Sequence, residues 1–498
     1  MDGDPQLMKY RMWIGGEWVD AASGECFPSD NPFLGKPWAS IPKGGAEDAD
    51  RAVRAAHRAL TTGPWPKMSA SQRGALLRRL GDFIAPESKR LAEIEVRDNG
   101  KLYAEMSAQT AYMAQWYYYF GGLADKIEGA VIPIDKPDTF NYTRHEPVGV
   151  VVAIVPWNSP LLLTAWKLAP ALAAGCTVVI KPSEFTSASI LEFAKLIEQA
   201  GFPPGVVNIV TGFGADVGMP LVEHPLTNKV AFTGSERTGS LVYQQAAKNL
   251  KRVTMELGGK SPNIVFDDAE IDNAIKGVIS GIFAATGQTC IAGSRLLVQK
   301  SIHDQFVERL VEFAKTAKMG NPMHADTQVG PVTNPPQYKK ILDYMEIAKG
   351  EGAKAALGGA KATRPECGEG WFVEPTIFTG VNNRMRIAQE EVFGPVLSVI
   401  PFEDEDEAVA IGNDVVFGLA AGVWTQSMRR AFRMAEQLQA GTVWINTYRA
   451  VSYLSPFGGY KRSGIGRESG QEMIQEYLQT KSVWISLATE VPNPFIMR

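Results

Sequence analysis

Residues 147–180 read PVGVVVAIVPWNSPLLLTAWKLAPALAAGCTVVI and carry one charge, that of Lys167. A hydropathy window would mark this stretch as a membrane span. Five residues that interrupt helices or strands break it up, namely Pro156, Asn158, Pro160, Pro170 and Gly175. A lipid-facing segment with these breaks would leave backbone groups without hydrogen-bond partners. The stretch therefore predicts a buried strand, a turn, a buried helix and a second buried strand.

This alternation continues along the chain. Strands are predicted at 148–155, 177–181, 206–210, 229–232, 252–255 and 263–266, with helices between several of them. Several of these strands are continuous apolar runs, which is typical of a parallel sheet covered on both faces. The pattern resumes after residue 290 and indicates two α/β domains in series, with a boundary near residues 258–259. Ahead of it, separate helices are predicted at 69–80 and 86–98.

Two β-like segments fit neither domain, one at 126–146 and one at 480–487. A stray strand leaves an unpaired edge that a second subunit can cover, so we expect an oligomer. A third segment, the predicted helix at 102–123, is rich in aromatic residues, which is typical of a core or interface face.

Composition excludes several classes of protein. The 498 residues carry a net charge of -4 with the signs interspersed, unlike the clustered basic surface of a nucleic-acid-binding protein. The four cysteines are far apart and form no C-x-x-C pair, so neither a disulfide framework nor a cysteine-rich zinc site is expected. Residues 1–5 lack a signal-peptide pattern. These features predict a cytoplasmic protein.

A candidate nucleophile lies in Gly287-Gln288-Thr289-Cys290-Ile291, after a helix predicted at 269–285. A cysteine in such a turn could act as a thiolate, but a lone cysteine is more often a small buried apolar residue. The pentapeptide alone leaves both interpretations open.

Other candidates follow predicted strands, where ligands of α/β sheets gather. The amide of Asn158 could stabilise an oxyanion or form an Asx-turn. Glu256 could be a general base or a solvated loop carboxylate. Gly234-Ser235 opens a helix whose N-terminus attracts phosphate, although a serine cap explains the pair equally well.

Together these motifs resemble the aldehyde dehydrogenase superfamily over nearly the whole chain, and most closely its NAD-linked, non-CoA-acylating members. The resemblance is carried by Pro156-Trp157-Asn158, Lys181-Pro182-Ser183-Glu184, Phe232-Thr233-Gly234-Ser235, Glu256-Leu257-Gly258-Gly259-Lys260, Gly287-Gln288-Thr289-Cys290, Glu391-Val392-Phe393-Gly394-Pro395 and Pro456-Phe457-Gly458-Gly459. It implies an α/β fold with a Rossmann-like cofactor domain, a second α/β catalytic domain and a small β oligomerisation segment. The expected ranges are 1–125 and 147–258 for the NAD-binding domain, 259–460 for the catalytic domain, and 126–146 and 475–490 for the oligomerisation segments.

The resemblance also implies roles for single residues. Cys290 matches the nucleophile that attacks an aldehyde, Asn158 the oxyanion donor, and Glu256 the base that activates water to hydrolyse the thioester. Glu468 matches a position sometimes proposed for proton relay. The product would be a free carboxylic acid.

The cofactor residues are transferred in the same way. The positions that match are Trp157, Lys181, Glu184, Gly234, Ser235, Gly239, Leu257, Glu391 and Phe393. A carboxylate at Glu184 accepts hydrogen bonds from ribose hydroxyls and repels a 2′-phosphate, which favours NAD over NADP. No metal site is expected, and the partners expected are a small-molecule aldehyde and further copies of the chain in a homodimer or homotetramer.

The positions that match the substrate channel are Leu163, Trp166, Ala284, Thr289, Val451 and Tyr453. Several relatives carry bulky aromatics where Ser159, Ala284 and Val451 stand here, so we expect a wider channel, open to bulky or aromatic aldehydes. Arg449 could meet an anionic substrate tail or be a surface or interface arginine.

Two alternatives use the same scaffold. A CoA-acylating relative generally lacks the water-activating carboxylate, so Glu256 argues against it. A cysteine hydrolase normally needs a histidine base, and none of the five histidines lies in a motif named above. The second alternative includes a non-catalytic binding protein, which would not need Cys290, Asn158 and Glu256 all in place.

Overall fold

The structure is a computed structural model and describes residues 7–490 and 493–496. The N-terminal residues 1–5, where no signal peptide is expected, lie outside the described residues. Across the described ranges, no helix combines the length and the apolar character needed to cross a membrane.

The first of two large sheets has eight strands. In spatial order they are Gly464–Ile465, Arg252–Glu256, Thr227–Thr233, Val150–Ile154, Thr177–Lys181, Val207–Ile209, Met12–Ile14 and Glu17–Val19. The five strands from Arg252–Glu256 to Val207–Ile209 run parallel, and antiparallel strands close both edges. The associated helices are Ala46–Thr61, Pro160–Ala174, Ala188–Ala200, Met219–Glu223 and Glu236–Ala247.

The second sheet has seven strands. Their order is Lys354–Leu357, Thr376–Thr379, Val396–Phe402, Arg295–Gln299, Pro262–Val265, Ala420–Trp424 and Thr442–Ile445, and only the Lys354–Leu357 pairing is antiparallel. Its helices are Ile271–Ile282, His303–Lys315, Pro335–Gly350, Arg386–Gln389, Glu405–Asn413 and Met428–Gln437. The α/β class is thus confirmed. The chain passes from one sheet to the other between Glu256 and Pro262. The domain boundary near residues 258–259 stays a prediction.

The apolar stretch at 147–180 forms the centre of the first sheet. Strand Thr177–Lys181 is buried along its whole length, and so is nearly all of helix Pro160–Ala174. Pro160 occupies the first turn of that helix, where its missing N–H removes no intrahelical bond. Gly175 ends the helix in the left-handed region, with φ at 95°.

The two helices predicted at 69–80 and 86–98 are wrong as separate elements, because one helix runs from Ala70 to Asn99 through Pro86. Ser69 caps its start and Gly100 ends it with φ at 72°. Proline inside a helix costs about 3 kcal/mol through the lost N–H and ring crowding. Burial of the apolar face on both sides of Pro86, including Ile84 and Leu91, offsets that cost.

Three small sheets complete the fold. Thr139–Pro147 and Leu478–Ser486 form a two-stranded antiparallel ribbon, which pairs the two β-like segments with each other. Met8–Lys9, Lys36–Pro42 and Cys26–Asn31 form a three-stranded sheet, and Phe417–Gly418 pairs with Tyr460–Lys461. The aromatic-rich helix spans Tyr103–Leu123.

Candidate active site

The turn before Cys290 departs from the predicted helix. The helix ends at Ile282 rather than continuing to residue 285, and Ala285 and Thr286 both have φ at 53°. Non-glycine residues adopt this left-handed conformation only when their surroundings hold it. The Ala285 N–H donates to Oε1 of Glu105 at 3.1 Å, and a Cβ at Gly287 would lie 2.1 Å from the carbonyl oxygen of Gly394. Tertiary contacts therefore set the position of the thiol.

Cys290 is half-buried and unpaired. Burial raises the pKa of its thiol to about 12, and the carboxylates of Glu256 and Glu391 act in the same direction. The resting side chain is therefore a thiol, and it needs a nearby base to become a nucleophile.

Asn158 lies in the turn between strand Val150–Ile154 and helix Pro160–Ala174. Its Nδ2 donates to the carbonyl oxygen of Gln288 at 3.1 Å. Gln288 is buried, and its own Oε1 accepts from the N–H of Thr333 at 3.0 Å. The Asn158 amide is thus held against the backbone two residues before Cys290.

Glu256 ends strand Arg252–Glu256 and is 5 % exposed. Among the described residues, neither carboxylate oxygen has a hydrogen-bond partner. Burial, and then the charge of Glu468, raise the pKa of Glu256 well above its usual value. A Cβ at Gly458 would lie 2.9 Å from Oε1 of Glu256, so that glycine leaves room for the carboxylate. A buried carboxyl with a raised pKa and free oxygens is suited to general base catalysis.

Glu468 forms a fully buried ion pair with Lys167, 2.5 Å between Oε1 and Nζ. Its second oxygen, Oε2, has no partner in the described part of the chain. Burial raises the pKa of Glu468, and Lys167 opposes that shift. The charge of Glu468 acts on Glu256, and both side chains are buried. The two acids therefore form one buried cluster.

A cavity of about 120 Å³ adjoins the thiol. It is lined by Pro156, Trp157, Asn158, Leu163, Thr233, Gly234, Ser235, Leu257, Gly258, Cys290, Gln337, Lys340, Glu391 and Phe393. Most of the predicted cofactor residues therefore meet the predicted nucleophile in one space. Gln337 and Lys340 were missed, since nothing in their local sequence distinguishes them from other polar helix residues.

One wall of the cavity is suited to phosphate. Ser235 caps helix Glu236–Ala247 by accepting from the N–H of Thr238 at 3.3 Å. A helix N-terminus presents free N–H groups and a positive dipole end. A Cβ at Gly234 would lie 2.6 Å from the Phe232 ring, and one at Gly239 would lie 2.3 Å from the Leu257 side chain. The glycines keep this wall close to bare backbone, which fits the diphosphate of a dinucleotide.

The predicted ribose contacts lie apart from this cavity. Nζ of Lys181, at the end of strand Thr177–Lys181, is 3.4 Å from Oε2 of Glu184. Burial lowers the pKa of Lys181 and the charge of Glu184 opposes that shift. The pair lies at the carboxyl edge of the same sheet as Ser235, the side expected for an adenosine ribose.

The opposite wall holds Glu391 and Phe393. Oε1 of Glu391 accepts from the N–H of Gly259 at 2.9 Å, and a Cβ at Gly258 would lie 2.5 Å from Oε2. The ring of Phe393 meets that of Trp157 edge to face, with centroids 5.2 Å apart. Phe393 has φ at 60°.

The predicted channel residues fall into an aromatic cluster and a small-residue group. The Tyr453 ring lies 5.4–5.9 Å from those of Tyr112, Trp116 and Tyr119. Trp166 stacks on Trp116 at 5.8 Å. Leu163 and Val451 pack against the same core. Ala284 and Thr289 are half-buried and come shortly before Cys290 in the sequence. The contact of helix Tyr103–Leu123 with Tyr453 was not predicted, because its aromatic run equally suits a core.

Arg449 has an internal partner. Its Nη1 is 3.7 Å from Oε1 of Glu105 and donates to the carbonyl oxygen of Ser280 at 3.3 Å. Its φ is 66°. Separately, the described residues contain no cluster of three or more His, Cys, Asp or Glu side chains that could hold a metal ion.

The chain is similar to known proteins over nearly its whole length. The profile of the aldehyde dehydrogenase family matches residues 18–483. A (Z)-2-((N-methylformamido)methylene)-5-hydroxybutyrolactone dehydrogenase from Acinetobacter baylyi is 47% identical over 495 residues, which cover 99% of this chain and 100% of that protein. Human aldehyde dehydrogenase 1A1 is 46% identical over 488 residues, covering 97% and 96% of the two chains.

Solved structures are similar over the same length. A betaine aldehyde dehydrogenase from Staphylococcus aureus in complex with NAD+ superposes with a TM-score of 0.97 at 42% identity, covering 99% of this chain and 98% of that chain. The NAD+ complex of an aldehyde dehydrogenase from Bacillus cereus gives a TM-score of 0.94 at 44% identity, covering 96% and 97%.

Proposed function

The chain belongs to the aldehyde dehydrogenase family, and from that premise we propose how its own residues oxidise an aldehyde to a carboxylic acid with NAD. The observation that carries the assignment of residues is the shared cavity. Cys290, Asn158 and the glycine turn at Gly234-Ser235 all line it. The CoA-acylating and hydrolase alternatives are not favoured, since the similar solved structures are NAD+ complexes of aldehyde dehydrogenases.

In the first step Glu256 accepts the proton of the Cys290 thiol. The charge of Glu256 is the largest single influence on that thiol after burial, which supports their proximity. The thiolate attacks the aldehyde carbon, a C–S bond forms, and the carbonyl oxygen becomes an oxyanion. The Nδ2 group of Asn158 and the backbone N–H of Cys290 stabilise it.

NAD, when bound in the cavity, supplies the acceptor for the hydride that leaves the thiohemiacetal carbon. Ser235 and the Gly234–Gly239 segment would hold its diphosphate, and Lys181 with Glu184 its adenosine ribose. Glu391 would contact the nicotinamide ribose, while Trp157, Leu257 and Phe393 enclose the ring. The carboxylate of Glu184 favours NAD over NADP.

In the second half of the reaction Glu256 takes a proton from water. The hydroxide adds to the thioester carbon, the C–S bond breaks and the Cys290 thiolate leaves. Glu468 accepts both protons from Glu256 in turn, that of the thiol before water is activated and that of water afterwards. This step is supported by the free Oε2 of Glu468 and by the charge of Glu468, which acts on Glu256. Two-stage covalent catalysis of this kind divides one difficult step into two easier ones.

The substrate class we propose is bulky or aromatic aldehydes. Ser159, Ala284 and Val451 stand where several relatives carry bulky aromatics, which supports a wider channel. The Tyr453 cluster supplies aromatic surface on which a ring can stack. The test is a panel of aldehydes run with NAD and with NADP. A steep preference for acetaldehyde over benzaldehyde in kcat/KM would contradict the proposal.

We also propose a homodimer or homotetramer in the cytoplasm. The ribbon of Thr139–Pro147 and Leu478–Ser486 exposes apolar side chains, among them Phe140, Trp484 and Ile485. An exposed apolar ribbon whose Leu478–Ser486 edge pairs with no further described strand is suited to covering by a second copy of the chain. All four cysteines are unpaired, which fits a reducing compartment. Sedimentation of the wild type and of Trp484→Ser tests the oligomer.

The decisive experiment measures NADH absorbance after aldehyde and NAD are mixed with wild type and with Cys290→Ala. We expect turnover in the wild type and none in the variant. Turnover in Cys290→Ala would overturn the mechanism.

A further inference from the structure

A second buried lysine lies below the proposed acid–base pair. Lys229, in strand Thr227–Thr233, is fully buried, and its Nζ has no hydrogen-bond partner among the described residues. Its Nζ lies 3.7 Å from Oε2 of Glu476. The Tyr477 ring lies 5.1 Å away. A buried ammonium that makes no hydrogen bond is costly, so its presence here calls for an explanation.

Lys229 and Glu256 belong to the same pair of strands. Thr227–Thr233 runs parallel to Arg252–Glu256, with Lys229 opposite Arg252 and Thr233 opposite Glu256. Four residues of strand span about 13 Å. Lys229 therefore lies at the amino end of the strand pair whose carboxyl end carries the proposed base.

The buried ion pair of Glu468 and Lys167 acts electrostatically on both Glu256 and Lys229. The charge of Lys229 acts on Glu468, and the charges of Glu468 and Lys167 act on Lys229. Cys176 and Tyr477 are the other titratable groups facing Lys229, and burial raises the pKa of both.

Glu476 connects Lys229 with the protein surface. The Glu476 side chain is 34% exposed. A Cβ at Gly466 would lie 3.0 Å from Oε1 of Glu476, so Glu476 contacts the backbone two residues before Glu468. Burial lowers the pKa of Lys229 to about 8, while Glu476 opposes that shift, so the amine can exchange a proton near neutral pH.

We propose that Lys229 and Glu476 form the exit of the buried acid–base chain that begins at Glu256. The inference rests on the proposed function, in which water gives a proton to Glu256 and Glu256 passes it to Glu468. The ammonium of Lys229 first gives a proton to Glu476, whose carboxyl releases it to bulk water, through a bridging water where a gap exceeds a hydrogen bond. The carboxyl O–H of Glu468 then breaks as an N–H forms on the neutral amine left at Lys229.

Each group returns to its starting state and no electron moves. A route of this kind is needed, because oxidation of an aldehyde to a carboxylate by NAD and water releases two protons per turnover. Lys167 stays paired with Glu468 throughout. Lys229 and Glu476 touch neither substrate nor cofactor and act through Glu468.

The test compares Lys229→Met, Lys229→Arg and Glu476→Gln with wild type, and Lys251→Met is the matched control for loss of a partly buried lysine. Proton-transfer groups contribute about 10²–10⁴ in rate, and for an exit group we expect kcat to fall about tenfold. Hydride transfer should be unaffected, so a burst of NADH equal to the site concentration precedes slow turnover. Added buffer should restore part of kcat in Glu476→Gln.

Lys229→Arg separates proton transfer from charge balance. Arginine keeps the positive charge but does not deprotonate in proteins, so we expect it to be as slow as Lys229→Met. Wild-type kcat in Lys229→Arg or in Glu476→Gln overturns the proposal, and so does a slower burst. Glu476 is partly exposed, so Glu476→Gln should fold. It can therefore still test the proposal if Lys229→Met does not fold.

Glu468→Gln shows whether a failure lies in the proposed proton exit or in the proposed hydrolysis. If Glu468→Gln is slow while Glu476→Gln is not, the exit is wrong and the proposed hydrolysis stands. If Glu468→Gln turns over like wild type, the proton transfer in the proposed function is itself wrong.

Discussion

Nδ2 of Asn158 donates to the carbonyl oxygen of Gln288, and Gln288 precedes Cys290 by two residues. A side-chain amide carries two N–H groups. One of them fixes the amide against the turn that bears the thiol, which leaves the other free for a developing oxyanion. The donor is therefore positioned before substrate arrives.

Asn158→Ala should lower kcat by about 10²–10³, the usual effect of losing one oxyanion donor. KM should change little, because the oxyanion exists only after attack. Steady-state kinetics with one aldehyde measure both parameters, and thermal unfolding checks that loss of the Gln288 contact has not disrupted the fold. A raised KM with unchanged kcat would assign Asn158 to ground-state binding instead.

Glu256→Gln should stabilise the protein in a pH-dependent manner. Burial raises the pKa of Glu256, so between its unfolded value, about 4.5, and its native value the folded chain holds a proton that the unfolded chain has released. The contribution of Glu256 to stability therefore falls as pH rises through that window. Glutamine does not ionise. The free energy of unfolding in urea should therefore be higher for Glu256→Gln than for wild type, by a margin that grows as pH rises above about 5. An advantage that does not vary with pH would contradict this account.

The Cys290 thiol should alkylate slowly near neutral pH. With its pKa raised to about 12, the thiolate fraction, and with it the rate with iodoacetamide, should rise about tenfold per pH unit up to about pH 10. Cys26 is exposed, so the measurement requires a Cys26→Ser background. Cys290→Ala identifies the signal, and a plateau already at about pH 7 would show a pre-formed thiolate.

Gly258→Ala should weaken NAD binding. Its Cβ would lie 2.5 Å from Oε2 of Glu391, so the carboxylate must move away from the proposed nicotinamide ribose. We expect the KM for NAD to rise while the KM for aldehyde changes less. Gly122→Ala is the matched control, since a Cβ there meets nothing within 4 Å. Equal effects of the two substitutions would mean that Glu391 does not contact the cofactor.

Ala284→Phe should narrow the channel from one side. We expect kcat/KM to fall for benzaldehyde and to hold for acetaldehyde, because a pocket that loses volume excludes the larger substrate first. Ala284→Ser, which adds one oxygen atom, serves as the size control. Equal losses for both aldehydes would place Ala284 outside the channel.

The motifs at strand ends were predictable because parallel strands bring their carboxyl ends to one edge. Asn158, Glu256 and Ser235 all follow strands of the first sheet, and the sheet brings their segments together without further information. The left-handed turn at Ala285 was not predictable, since it is held by Glu105 and Gly394, both far away in sequence.

The local sequence predicts neither the continuous helix through Pro86 nor the short strands. Packing on both faces, not local propensity, carries the helix through Pro86. Strand Thr376–Thr379 has four residues and Gly464–Ile465 only two, too few for a periodic pattern. The Lys229–Glu476 pairing likewise joins residues that no local motif connects.

Strand Gly464–Ile465 has a consequence for biosynthesis. It covers the edge of Arg252–Glu256, yet it leaves the ribosome about 200 residues later, a delay on the order of 10–40 s at usual elongation rates. During that interval the nascent chain exposes an open strand edge, which is a template for pairing with a neighbouring chain. We therefore expect soluble yield to depend on how often unfinished chains meet one another, so slower initiation, which spaces them apart, should raise it.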